Sequence, residues 1–216
     1  MPKLFSVRTD FSTRVIVLIP IAIAINIAVG QIVVLLKLPV FLDSIGTVLV
    51  AILAGPLAGA LTGTLANIIW GALTNPESLF YAPVALLIGL SAGILAHFGF
   101  FRVWWKVVIS GFIIAIIAAF ASAPITVGVF GGISTSGTSF LVAYLEATGK
   151  NLITSVLSTS FIFEPVDKIV TCLVAWAIVK SLSVRFVSRF PRAYTVLPAE
   201  KQEVSPPESS PESSNA

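Results

Sequence analysis

The sequence predicts an all-α integral membrane protein, a bundle of six transmembrane helices. Composition is the first reason: 216 residues are 56% hydrophobic and only 11% charged, with a mean hydropathy of +1.01, whereas an average soluble domain is about 25% charged. Apolar runs near the roughly 20 residues that a bilayer demands recur along the whole chain, so the membrane region is the domain itself and not an anchor. The third reason is the segregation of Lys and Arg, which also orients the bundle.

Breakers and polar edges place the helices at about residues 14–36, 43–54, 56–74, 79–97, 104–130 and 161–187. The first follows a basic start (Lys3, Arg8, Arg14) and continues past Ala22-Ile23-Ala24, a faint imitation of a signal-cleavage site, so it reads as an uncleaved helix. Residues 43–74 are too long for one ordinary span at about 1.5 Å per residue, and Gly55-Pro56 divides them with a tight turn. The second helix is then short, which is tolerable only if neighbours cover its ends. Residues 131–148, rich in Gly, Ser and Thr, join the fifth and sixth helices as a candidate lid or a slack loop.

With the N-terminus inside, the cytoplasmic segments hold Lys3, Arg8, Arg14, Arg102, Lys106, Lys180, Arg185, Arg189, Arg192 and Lys201, and the outer loops only Lys37 and Lys150. This excess fits the positive-inside rule, an even number of spans, a multi-pass location in the cell membrane and cytoplasmic termini. Residues 1–190 form the transmembrane substrate-binding domain. Residues 191–216, ending PPESSPESSNA, read as a disordered cytoplasmic tail.

Orientation gives each polar residue a depth. Gln31 on the first helix, with Asn26 nearer its middle, Asp43, Ser44 and Thr47 on the second, and Asn67 and Asn75 on the third lie toward the outside. So do Glu77, Tyr81, Ser122, Thr126, Glu164, Asp167 and Lys168, while the inner halves hold almost nothing comparable. Charges at mid-bilayer cost about 2.5–3.5 kcal/mol each, so they normally face a cavity or one another. The candidate substrate-binding residues are Gln31, Asp43, Asn67, Asn75, Tyr81, Glu164, Asp167 and Lys168. Bland readings stand beside these: Glu164 and Lys168 are an i, i+4 pair, and Asp43 is a candidate N-cap. Asp167 and Lys168, adjacent on a helix, point about 100° apart, so each needs another partner.

The sequence contains no HExxH, GxSxG or GxxxxGK[ST] motif, so neither an enzyme nor self-powered ATP-driven transport is expected. His97 has no Cys or carboxylate at ligand spacing, so no metal or other cofactor is expected, and Cys172 reads as a small buried residue. Gly55, Gly59 and Gly63 form a small-residue stripe suited to internal packing, and Ala24 and Ala28 an AxxxA pair suited to internal packing or to a partner. Phe41, Phe80, Tyr81, Phe130 and Phe163 lie near the outer ends, first as interface aromatics and second as stacking surfaces for a flat ring.

The stretches AINIAVGQIV, LPVFLDSIGTVLVAILAGPLAGALTGTLANIIWG and PVDKIVTCLVAWAIVKSL resemble the substrate-binding S components of energy-coupling factor (ECF) transporters, the vitamin importers. The resemblance covers residues 14 to about 187. It implies a six-helix bundle that binds a vitamin or related micronutrient near the outer face, riboflavin binders being among the closest in general pattern. It also implies a membrane coupling subunit and two cytoplasmic ATPases as partners, with Ala24 and Ala28 facing the coupling subunit. The alternatives are a membrane sensor or interaction module, and an intramembrane enzyme or independent secondary transporter built on Asp43, Glu164 and Asp167.

Overall fold

The structure, a computed structural model, describes residues 4, 5 and 10–196, the side chain of Ala193 excepted. Among these residues it is all-helical: α1 (Thr13–Leu35), α2 (Ile45–Ala54), α3 (Pro56–Leu73), the short α4 (Glu77–Phe80), α5 (Ala82–His97), α6 (Trp104–Gly128), α7 (Thr138–Ala147), α8 (Leu152–Ser181) and the short α9 (Val184–Val187), followed by a 3-10 turn at Ala193–Thr195. Three helices, α1, α3 and α6, are long and apolar enough to cross a membrane, and α2 and α5 are apolar but shorter. The expected six spans are therefore matched by three on length and hydropathy. The helix α8, 30 residues long, carries Glu164, Asp167, Lys168 and Lys180.

All ten residues of α2 are buried, because it runs through the middle of the bundle against α1, α3, α5 and α8. A helix that is apolar all round is stable only in such a place. Its close neighbours are held by glycines. A Cβ on Gly46 would lie 2.2 Å from the Ala22 carbonyl oxygen of α1, and one on Gly59 2.5 Å from Ala51 Cβ of α2. The stripe Gly59 and Gly63 of α3 thus packs internally, against α2 and α5. The α2–α3 turn is made by Gly55 at φ 117°, with Pro56 as the first helical residue of α3, where its missing N–H costs nothing.

Three charged residues of α8 point inward: Glu164 is 6% exposed, Asp167 0% and Lys168 3%. Its outward face is Ile162, Val166, Val170 and Val174, at a four-residue spacing that keeps one stripe of the helix apolar. Val17 and Ile21 of α1, Ile68 and Ile69 of α3, and Ile109, Phe112 and Phe120 of α6 are exposed as well. An exterior this apolar marks a membrane-embedded protein.

Two boundaries differ from expectation. Residues 131–148 are not a plain loop but contain α7, and α8 begins at Leu152 instead of near residue 161. The reason is that the Ser/Thr-rich start of α8 satisfies its own hydroxyls within the helix. Asn151 Oδ1 accepts the Thr154 N–H at 2.8 Å, Ser155 Oγ donates to the Asn151 carbonyl and Thr159 Oγ1 to the Ser155 carbonyl, so the hydroxyls need no solvent.

The second correction concerns the tail, which cannot start at residue 191. Arg192 is fully buried and its guanidinium donates to Asp10 Oδ1 at 2.8 Å and 3.1 Å. Its backbone N–H donates to the Leu53 carbonyl, and Thr195 Oγ1 donates to the Ile52 carbonyl. These are the last carbonyls of α2, which a short buried helix must satisfy from outside itself. His97 and Tyr194 meet at 3.1 Å, Arg102 donates to the Tyr194 carbonyl, and Lys180 to the Val196 carbonyl. Residues 192–196 are a strap closing one end of the bundle. The rest of the expected tail, residues 197–216, lies outside the described residues.

Candidate functional site

The end of the bundle opposite the strap holds a cavity whose empty space, open solvent at the mouth included, is about 990 Å³. Its floor is organised by α8 and the turn that leads into α2. Asp167 Oδ1 accepts the backbone N–H groups of Phe41 and Leu42 at 2.9 and 2.7 Å, which holds Leu42 at a positive φ of 50°. Its other oxygen pairs with Lys168. The adjacent residues meet because the four-methylene stem of Lys168 reaches back, a correction to the expectation from helical angle alone. Lys168 Nζ also lies 3.5 Å from Glu164 Oε2 and 5.8 Å from the Phe41 ring centroid.

Asp43 lines the cavity and accepts from Ser44 Oγ at 3.0 Å. The residue in the N-cap position of α2 is Ser44, with no side-chain cap hydrogen bond, so Asp43 is not serving as the cap.

On the α3 wall, Asn67 is 5% exposed. Its carbonyl accepts from Ser78 Oγ, and among the described residues its carboxamide bonds to none, though it faces the cavity. Asn75 lines the cavity beside it. Trp70 also lines the cavity, its ring held by Nε1 donating to Gln31 Oε1 at 2.9 Å. Gly30 makes room, since a Cβ there would come within 2.7 Å of the indole. Tyr81 shares a 2.8 Å hydrogen bond with Thr126 Oγ1 and stacks on Phe130 with centroids 5.9 Å apart.

The mouth is covered by the segment before α7. Glu77 accepts the Thr135 backbone N–H at 2.6 Å, Lys37 Nζ donates to the Thr135 carbonyl at 3.3 Å, and the Gly137 N–H donates to the Leu38 carbonyl. Gly132, Ser134, Thr135 and Thr138 line the cavity from this segment. Burial pushes the Glu77 carboxyl above its ordinary value of 4.5, against the Thr135 hydrogen bonds and the nearby charge of Lys37.

Of the sequence-derived candidates, Asp43, Asn67, Asn75, Tyr81, Glu164 and Lys168 line one cavity. Gln31 and Asp167 do not: the first positions Trp70 and also accepts from Thr74, and the second positions the residue 41–42 turn. Sequence reasoning missed Trp70, Thr159 and Ser160 in the lining. Trp70 lies one turn after Asn67, a spacing that could have flagged it; Thr159 and Ser160 were lost with the misplaced start of α8.

Ala24 and Ala28 are exposed on the outer face of α1. Among the described residues no cluster of His, Cys, Asp and Glu could hold a metal ion. The chain matches no known protein family, no characterised protein and no solved structure.

Proposed function

We propose that this chain is the membrane substrate-binding component of an ECF-type importer, capturing a vitamin or related micronutrient from outside for ATP-driven uptake. The observation that carries the reading is the asymmetry of the bundle. A lidded cavity whose lining includes several polar and charged side chains occupies one end, and a buried ion pair and strap close the other. A receptor for an external solute needs that closure; a continuous channel lacks it. Six spans, with both termini cytoplasmic, are part of the proposal. In support, α1, α2, α3, α5, α6 and α8 all run between the two ends, α8 turns an apolar stripe outward, and ten basic residues against two favour the strap end as cytoplasmic. The exposed Ala24 and Ala28 offer a shallow notch on α1 where a coupling subunit could approach closely.

Affinity purification from native membranes tests this: a membrane coupling subunit and two ATPases should co-purify, with a small organic molecule recoverable by mass spectrometry. Replacing Ala24 and Ala28 together by Leu should abolish assembly and spare ligand binding. Recovery of the chain alone, with no such partners, counts against the reading.

The carboxylates Asp43 and Glu164 in the cavity favour a second reading, an ion-coupled secondary transporter. Uptake that survives without any ATPase and collapses with the proton gradient would select it.

A further inference from the structure

The charges of the cavity floor do not balance. Asp167 is fully engaged by two backbone N–H groups and Lys168, so that pair is close to neutral. Asp43 and Glu164 also line the cavity. Among the described lining residues the only cation is Lys168, which Asp167 and Glu164 share. Glu164 Oε2 is buried and makes no hydrogen bond, its ion-pair partner lying 3.5 Å away. One ammonium for Asp43, Glu164 and Asp167 leaves an excess of buried negative charge, which is costly.

Independently of the carboxylates, Asn67 is 5% exposed and lines the cavity, and its carboxamide has no partner among the described residues. Its amide holds an acceptor and two donors unspent. The walls add aromatic faces at Phe41, Trp70, Tyr81 and Phe163, surfaces on which flat rings stack and which attract cations.

Resting on the reading of this cavity as the substrate site, we infer that its ligand is a flat organic cation bearing N–H donors, with its positive centre seated between Asp43 and Glu164 and its edge hydrogen-bonded to Asn67. A carboxylate or phosphate would meet Asp43 and Glu164, and, among the described lining residues, no ammonium or guanidinium beyond the one that Asp167 and Glu164 already share. The inference therefore excludes anionic and phosphorylated compounds as substrates.

Three isosteric probes decide it: benzamidinium, neutral benzamide and benzoate, titrated into the purified full-length protein after release of any carried ligand, with the tryptophan emission as readout. Benzamidinium should bind at least tenfold more tightly than benzamide, and benzoate should not bind. Glu164→Gln and Asp43→Asn should each weaken benzamidinium at least tenfold and shrink its preference over benzamide. Equal or tighter binding of benzamide or benzoate, no binding of benzamidinium, or unchanged affinity in both variants overturns the inference. The ranking of probes on the unmutated protein stands even where a variant fails to fold. The charge of the ligand extracted from native membranes is a second measurement, and a compound with no basic or quaternary nitrogen refutes the idea. Co-purification with ATPases alongside a failed ranking removes the ligand class alone; a correct ranking with no such partners removes the importer instead.

Discussion

Lys168 is the residue on which the floor of the cavity depends. It places one ammonium between Asp167 and Glu164, all three nearly inaccessible to water. Removing one partner of such a group leaves a charge with no compensation, at a cost of about 3–5 kcal/mol, whereas replacing the whole set by apolar groups can be close to neutral. Lys168→Met should therefore lower the thermal unfolding midpoint in detergent sharply. The combined Lys168→Met, Asp167→Asn and Glu164→Gln variant should recover most of the loss. A triple variant as unstable as the single one would mean that Lys168 acts through packing of its stem. At this scale the sequence was partly legible. The i, i+4 spacing of Glu164 and Lys168 exposed their pairing, but the hold of Asp167 on residues 41–42 joins positions more than a hundred residues apart, and no local pattern encodes that.

The helix α2 shows how an element too short for a membrane is made tolerable. Its ten residues rise about 15 Å, half the hydrocarbon thickness. Its terminal carbonyls are taken up by Arg192 and Thr195, and the buried pair of Arg192 and Asp10 sits over the turn at Gly55. A Cβ at position 55 would lie 2.3 Å from Arg192 Nε, on a residue held at φ 117°. Gly55→Ala should therefore cost about 1–3 kcal/mol in backbone strain alone, with further loss from the displaced ion pair, read as a lower unfolding midpoint. A chain ending at residue 190 should show a comparable drop relative to one ending at residue 196, because only the longer one keeps the strap. Equal midpoints would reduce the strap to decoration. The hairpin was readable in the sequence, since Gly55-Pro56 carries its own turn chemistry. The strap was not, because a Pro- and Ser-rich composition says how little a segment can bury and nothing about three or four residues that dock. The same bias hid the start of α8, whose hydroxyls were read as solvent-seeking when they bond along their own helix.

Across the whole molecule, the two ends differ in how firmly they are closed. The strap end is sealed by a fully buried ion pair, whereas the cavity end is closed by hydrogen bonds that tie residues 135 and 137 to Glu77, Lys37 and Leu38. Segments with few buried contacts open first, so exchange of ligand should proceed through the Thr135 side. Glu77 then sets the pH response of the lid. Its carboxyl is raised above 4.5 when the lid is closed, chiefly by burial, so the closed form binds a proton more readily than an open, solvated one. By linkage, closure is most favoured below the ordinary carboxylate value and is lost progressively as pH rises through the raised one. Ligand release from the wild-type protein, followed by stopped-flow dilution, should accelerate with pH across that window. Glu77→Gln, which keeps an acceptor oxygen for the Thr135 N–H and cannot ionise, should release slowly with little pH dependence; Glu77→Ala should release several-fold faster at every pH. Asp43 and Glu164 also face the cavity, and a slope that persisted unchanged in Glu77→Gln would assign the pH response to them and not to the lid.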